Sequence, residues 1–510
     1  MPKIYSAELE GVKAELVEVE ADLNVGLHSF NIVGLADKAV SEAKERVNSA
    51  LKNSGIKPPT KENRRITVNL APADVKKAGS RFDLPIAISY LLASGQLKAF
   101  PAEDSLFIGE LSLDGTLRPV SGILNAVLLA KRRGFKKVFL PEANAEEAAI
   151  VPDILIFGIR TVGALIAHLE NRSSIAPTER ASFLPRPTPA LVHWGDIKGQ
   201  AAGKRAIEIA AAGGHNLIFS GPPGTGKTML AEALAGLLPP PSLEEAIETT
   251  EIWSAAGLTN AEVPFIDFRP FRTPHHTSSV IAILGGGPNP KPGEISLAHR
   301  GVLFLDEIPE FHRDVIEGLR QPLESGFVTI ARARAALRFP ARFVLVAAMN
   351  PCPCGYFGDP DRECRCTGSE IFRYTKKISG PFLDRIDIQL NVPRVEAGEL
   401  MEMHSDPSGE TAAKKRIARA HEAQTMRFLG QPFRTRSNAE MTAQMVDELS
   451  NIEPSPHAFI RETAERNFLS ARGYYRTLKV ARTIADLEGE DAVKKDHLAE
   501  AFQYRIRVAG

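Results

Sequence analysis

The segment Gly221-Pro222-Pro223-Gly224-Thr225-Gly226-Lys227-Thr228 constrains what this chain can fold into more than any other. It fits the pattern G-x-x-x-x-G-K-[ST], and its flanks fit the mechanism behind that pattern. The apolar run from Asn216 to Ser220 reads as a buried strand, and Met229 to Leu238 reads as the helix that follows. The glycines let backbone N–H groups curl around a triphosphate at the positive end of a helix dipole. Lys227 then reaches the β- and γ-phosphates, and the Thr228 hydroxyl ligates Mg²⁺. Further along, Val302-Leu303-Phe304-Leu305-Asp306-Glu307 is a second buried strand that delivers two carboxylates at its end. Asp306 is placed to hold Mg²⁺ through water, and Glu307 to polarise the attacking water. The pair of segments predicts an α/β core that hydrolyses a nucleoside triphosphate, ATP first among them.

At 510 residues the chain exceeds one ordinary core, and three domains are expected. Its 62 basic and 62 acidic residues cancel, so contact with a polyanion must come from local clusters. No apolar opening with a basic flank suggests a signal peptide, and no apolar run approaches the ~20 residues that cross a bilayer. A cytoplasmic protein is expected. Residues 1–170 read as an α/β unit with strands Arg65–Leu70 and Lys137–Pro141 and helices Lys38–Asn53, Leu84–Ala93 and Ser121–Arg133. Residues 171–190 turn into Ser, Pro and Arg and mark a linker. The nucleotide-binding unit spans 191–400, and helical patterning fills 401–510.

Arg342 to Asn350 reads as another buried strand, ending in Asn350 beside the lytic water. The segment from Gly380 to Asp387 supplies Arg385, and Ser470 to Arg482 opens a helix carrying Arg476. This order resembles AAA+ ATPases of the Mg-chelatase and MCM branch. The resemblance implies that Asn350 is the sensor 1 residue, Arg385 the arginine finger reaching a neighbour's site, and Arg476 the sensor 2 arginine of a helical lid. Read as residues alone, either arginine could instead form a surface salt bridge. A finger acting in trans implies a homo-oligomer, ring or filament.

Between the phosphate loop and Asp306 the chain is far longer than one strand and helix require, and loops of such length usually carry a function. It includes Pro270 to Thr277 and the glycine-proline run Gly285 to Glu294. In the branch resembled here, this region holds a helix-2 insertion that projects into the ring's pore. The segment Gly326 to Pro340 reads as a hairpin bearing Arg332, Arg334 and Arg338, with no carboxylate from Gly326 through Arg342. Alternation puts Arg332 and Arg334 on one face, which suits tracking a phosphate backbone; a solvated face or subunit contacts is the other reading. His275 and His276, adjacent in a strand, would point opposite ways and serve as structural polar contacts rather than metal ligands.

Cys352-Pro353-Cys354 and Cys364-Arg365-Cys366 form two C-x-C pairs in a loop rich in Gly, Pro and Asp. A reducing compartment disfavours disulfides, and clustered thiolates suit tetrahedral Zn²⁺. The one-residue spacing is tighter than usual, so a reduced, metal-free cluster stays open beside a structural Zn²⁺.

In the first unit, Gly34 to Arg46, Asn69 to Asp74, Gly79 to Pro85 and Gly109 to Pro119 resemble the domain shared by Lon proteases and the RadA recombination protein, of the ribosomal S5 domain 2-like fold. Aligned on that domain, the catalytic serine position falls near Asp83 and the lysine position near Leu124, so the protease dyad is missing. The domain reads as a non-proteolytic scaffold or DNA-binding element. The whole order, with Gly213-Gly214-His215-Asn216, Met349 to Gly355 and Leu383 to Asp387 as its most specific pieces, resembles the ComM/YifB family of bacteria. The resemblance implies a hexameric, DNA-dependent helicase that promotes branch migration on single-stranded or branched DNA during natural transformation (competence). A chelatase-type ATPase that remodels a protein partner is the alternative.

Overall fold

The computed structural model describes the chain apart from residues 1, 62, 181, 190–191, 332–335, 396–405, 432–434, 454–469 and 506–510. The chain divides into two units. The first comprises Met1–Leu184 together with Leu243–Ile266 and Ala331–Phe339. Its strands are β1 (Ile4–Glu10), β2 (Lys13–Val25), β3 (Ser29–Val33), β4 (Arg64–Ala71), β5 (Ser105–Phe107), β6 (Lys137–Pro141) and β7 (Leu155–Ile159). They form one mixed sheet in the order β3-β4-β2-β1-β5-β6-β7. The β1–β2 and β2–β4 pairs are antiparallel, and the rest are parallel. The alternation of β2, with Val17, Val19 and Ala21 buried and acidic residues between them, turns one face of the strand to the core. The helix Asp83–Ala93 is apolar nearly all round and correspondingly buried. The helix Ile123–Arg133 stops at Gly134, whose φ of +84° closes its last turn. The expected helix over 38–53 forms as Lys38–Ser41 and Ala43–Asn53, separated at Glu42.

Residues 243–266 and, among the described residues beyond them, 331 and 336–339 lie within the nucleotide-binding stretch of the sequence, yet pack with the first unit. The helix Leu243–Ala256 lies against Ile123–Arg133, where Gly122 N donates to Ser254 O at 2.9 Å and Asn125 Nδ2 to Glu251 O at 3.1 Å. The buried Glu147 carboxylate accepts from the Ser254 hydroxyl and, at 3.1 Å, from Thr259. Burial raises the pKa of Glu147, which these hydrogen bonds oppose.

The second unit comprises Pro185–Ser242, Asp267–Ile330 and Pro340–Gly510. Its sheet contains β8 (Leu217–Ser220), β9 (Phe271–Arg272), β10 (Val302–Leu305), β11 (Val344–Met349) and β12 (Ile388–Asn391), all parallel, in the order β9-β10-β11-β8-β12. Strands β8, β10 and β11 are continuous apolar runs rather than alternating ones, as a sheet covered on both faces requires. The helices Pro407–Phe428, Ala443–Leu449, Ala471–Glu488 and Lys495–Gln503 share one apolar core with the helix Ala201–Gly213 and the sheet. No helix among the described residues is long and apolar enough to cross a membrane.

Candidate nucleotide-binding site

Strand β8 lies between β11 and β12, so the loop that leaves it emerges at the carboxyl edge of the parallel sheet. Gly224 and Gly226 take φ of +77° and +86°, a conformation that side chains rarely adopt, and a Cβ on Gly221 would collide with the Val392 carbonyl oxygen. The helix Lys227–Leu237 begins directly after this turn. The Lys227 ammonium donates to the Gly221 and Pro222 carbonyls at 2.8 Å each and lies 3.4 Å from Asn350 Oδ1. Burial lowers its pKa, while Asp306 and Glu307 oppose that shift. Asn350 follows the last residue of β11, so two adjacent strands bring it to the lysine.

Asp306 and Glu307 leave the end of β10, on the other side of β11. The Thr228 hydroxyl and Asp306 Oδ2 are 3.3 Å apart, and Glu307 N donates to Asp306 Oδ1 at 2.9 Å. A hydroxyl beside a carboxylate is an all-oxygen donor set that suits Mg²⁺. Glu307 itself sits at φ +51° and is exposed. His276 Nδ1 comes within 4.0 Å of Glu307 Oε2, a neighbour that sequence reasoning missed. The two histidines do not alternate across a strand; they lie in a turn with ring centroids 4.2 Å apart. His275 Nδ1 and Thr277 Oγ1, 2.8 Å apart, hold that turn, and Pro274 was the signal for it available in the sequence.

The two arginines are engaged within the chain. Arg385, 5% exposed, pairs through Nη2 with Glu324 Oε2 at 2.6 Å and donates from Nη1 to Pro381 O at 2.7 Å. Glu324 Oε1 also receives Arg472 at 3.1 Å, and these guanidinium groups, Arg385 first, hold the Glu324 carboxyl below the usual range. Arg476 pairs with the buried Asp387 at 2.6 Å. Burial alone would raise the Asp387 carboxyl, but Arg476 and His215 hold it well below the usual carboxylate range. Asp387 Oδ2 accepts from Asn216 N at 3.0 Å, and His215 Nε2 meets Thr483 Oγ1 at 2.8 Å. The Gly213–Asn216 and Leu383–Asp387 motifs therefore join the start of β8 to the helix Ala471–Glu488. Asp387→Asn would leave Arg476 without its counter-ion, and breaking one partner of a buried pair costs about 3–5 kcal/mol. The expected result is a clearly lower midpoint in urea unfolding; an unchanged midpoint would remove this joint from the stability account.

The four cysteine Sγ atoms lie within 4.8 Å of one another. Arg332 and Arg334 lie outside the described residues, and Arg338 is exposed on the strand Ala336–Pro340. In the first unit, Asp83 pairs with Arg46 at 2.6 Å and is pushed up to about 6 by burial, while Leu124 is buried and apolar. Ser80 is bonded to the Glu110 carboxylate and the Lys77 ammonium to the Pro72 carbonyl, so neither is directed at the other by those bonds.

Family models for magnesium chelatase subunit ChlI match three stretches: the subunit ChlI of Mg-chelatase over residues 19–144, the magnesium chelatase subunit ChlI over 193–400, and its C-terminal part over 408–505. The competence protein ComM of Haemophilus influenzae is 44% identical over 515 residues, covering 99% of this chain and 97% of that protein. The chain belongs to the ComM/YifB family. YifB of Escherichia coli is 43% identical over 508 residues, with 98% of this chain and 96% of that protein covered. A Lon protease of Rhizobium meliloti is 28% identical over 166 residues, 31% of this chain and 20% of the protease. The fold class read from the sequence stands: a Lon-like α/β unit, a Mg chelatase-like AAA+ core and C-terminal helices. Membership of the ComM/YifB family brings with it an AAA+ ATPase that uses ATP and Mg²⁺.

Proposed function

We propose that the protein is an ATP-driven, ring-shaped DNA motor that promotes branch migration of incoming DNA during natural transformation. The observation that carries the ATPase part is the meeting of three strand ends, with Lys227 3.4 Å from Asn350 and Thr228 3.3 Å from Asp306. The phosphate loop from Gly221 to Thr228 cradles the phosphates, and Thr228 and Asp306 would hold Mg²⁺, which would supply charge neutralisation at the phosphates. Glu307 positions the attacking water and Asn350 orients it, with His276 beside Glu307. Arg385 acts on the site of a second copy, and Arg476, paired here with Asp387, is the sensor 2 arginine of the lid. The ring is a hexamer in the cytoplasm. Domain roles follow: residues 1–170 as a Lon-like scaffold without protease chemistry, 171–190 as linker, 191–400 as motor and 401–510 as lid.

The DNA part is supported by the near full-length likeness to a competence protein. Its test is whether branched DNA, rather than a porphyrin-handling partner enzyme, raises ATP turnover; stimulation by the partner alone would favour the chelatase-type alternative. Arg332, Arg334 and Arg338 are the DNA-contacting residues proposed. Arg332→Ala with Arg334→Ala should weaken DNA binding and flatten its salt dependence, because each lost phosphate contact removes a counterion-release term of about 0.7–0.9 in the logarithmic slope. Basal hydrolysis should survive. An unchanged affinity and slope would move the DNA path to another surface.

A further inference from the structure

We propose that the four cysteines hold a structural Zn²⁺ whose presence sets the shape of the phosphate loop, through contact of Gly355 with Pro223; this rests on the nucleotide-site reading above. The sulfur atoms are already gathered: Cys352 Sγ lies 3.3 Å from Cys354 Sγ and 3.7 Å from Cys364 Sγ, and Cys354 Sγ lies 3.6 Å from Cys364 Sγ. Backbone amides point at them, from Phe357 to Cys352 Sγ at 3.3 Å, from Cys354 to Cys366 Sγ at 3.4 Å and from Cys366 to Cys364 Sγ at 3.4 Å. Amide donors around the sulfurs fix their orientation, as the outer shell of a metal site does. Four thiolates complete a tetrahedron and leave no position for water, so the ion's work there is structural.

The loop between the two pairs rests on the phosphate loop at Pro223 and pairs with Arg394 near its other neighbour, Val392. Gly355 has φ +87°, and a Cβ added to it would lie 2.7 Å from Pro223 Cδ, 2.8 Å from Pro223 Cγ and 3.9 Å from Asn350 Cγ. Its backbone therefore rests on the Pro223 ring, next to the residue that faces Lys227. At the other end, the buried Asp359 side chain lies 3.0 Å from Arg394 Nε, two residues beyond Val392, whose carbonyl oxygen abuts Gly221. Apart from Cys352 the loop buries little apolar surface, and Phe357 is 54% exposed. Burial alone is a weak anchor for such a segment, whereas a metal that cross-links four side chains supplies folding free energy directly.

The full-length protein, purified without added metal, should contain about one zinc per chain by elemental analysis. Removing it with a zinc-selective chelator in excess Mg²⁺ should weaken binding of fluorescent ADP about tenfold or more, and adding Zn²⁺ back should restore it. Gly355→Ala keeps all four thiolates but forces the loop off Pro223. It should retain its zinc and lose nucleotide affinity to a similar extent. If the zinc-loaded wild type keeps its affinity after chelation, and Gly355→Ala binds as tightly as wild type, the coupling is overturned and the metal site left standing. Folded, nucleotide-binding protein with no zinc would overturn the proposal entirely. Zinc-loaded wild type that binds no nucleotide would instead sink the nucleotide-site reading, and the coupling with it. If Gly355→Ala fails to fold, extraction and restoration on the wild type decide.

Discussion

Lys227→Ala should abolish nucleotide binding, and Glu307→Gln should bind nucleotide normally while hydrolysing it about 10²- to 10⁴-fold more slowly. The two residues stand on opposite sides of one chemical step. The lysine ammonium, held between the Gly221 and Pro222 carbonyls, is already turned toward the loop that curls around the phosphates. Replacing it removes the only cation seated within that loop among the described contacts, so binding goes first. Glu307 leaves the end of β10 exposed, bonded to Asp306 only through its own backbone amide. The amide of Gln keeps its volume but cannot draw a proton from water. Fluorescent-nucleotide titration and single-turnover hydrolysis separate the two outcomes. Near-normal turnover in Glu307→Gln would remove Glu307 as the base and direct attention to His276, its neighbour at 4.0 Å.

Arg385→Ala should leave nucleotide binding intact and cut hydrolysis by about 10³-fold or more, the range for loss of an arginine finger. Mixing it with Lys227→Ala should restore part of the activity, because a mixed interface pairs a sound phosphate loop with a sound arginine. The structure adds a second readout. Arg385 is buried and paired with Glu324, whose side chain is 52% exposed and also receives Arg472. For the guanidinium to serve a second copy, that pairing has to be exchanged for phosphate, so Glu324→Gln should leave Arg385 freer to do so. If Arg385 acts only within its own chain, no mixture recovers activity, and Arg385→Ala lowers the unfolding midpoint, because it removes a buried side chain together with its bonds to Glu324 and Pro381.

The nucleotide site was legible in the sequence because its parts are local. A glycine turn between an apolar strand and a helix, or an apolar strand ending in Asp306-Glu307, is specified by neighbours in the chain. Strand β4 and the helix Asp83–Ala93 came out within one residue of expectation for the same reason. The partners of Arg385 and Arg476 were not legible. Glu324 lies 61 positions from Arg385, and Asp387 lies 89 from Arg476, and no local pattern connects them. His276 was misread because a turn held by side chains was taken for a strand. The packing of residues 243–266 with the first unit was equally hidden, since the helix Leu243–Ala256 buries Glu245, Thr249, Thr250 and Ser254 along with Ala246 and Ile252, and no apolar stripe marks its covered face.

That last packing bears on how the protein is made. The first unit is not continuous in the chain: Ser254 and Thr259 satisfy the buried Glu147 carboxylate, and the aromatic ring of Phe339 lies beside Gly11. During synthesis, at about 5–20 residues per second, a ribosome that has released residues 1–184 has therefore not released all the residues that finish this unit. Until residue 259 emerges, the helix Ile123–Arg133 lacks its cover and Glu147 lacks two of its donors, and Gly11 waits for Phe339 beyond that. The nascent chain thus carries an unfinished apolar face through a large part of its elongation, which makes it a natural client for chaperones that hold such surfaces. It also means that an excised fragment ending near residue 184 lacks the helix Leu243–Ala256 and both donors to Glu147 for good, and should be less soluble than the intact protein in a sedimentation assay.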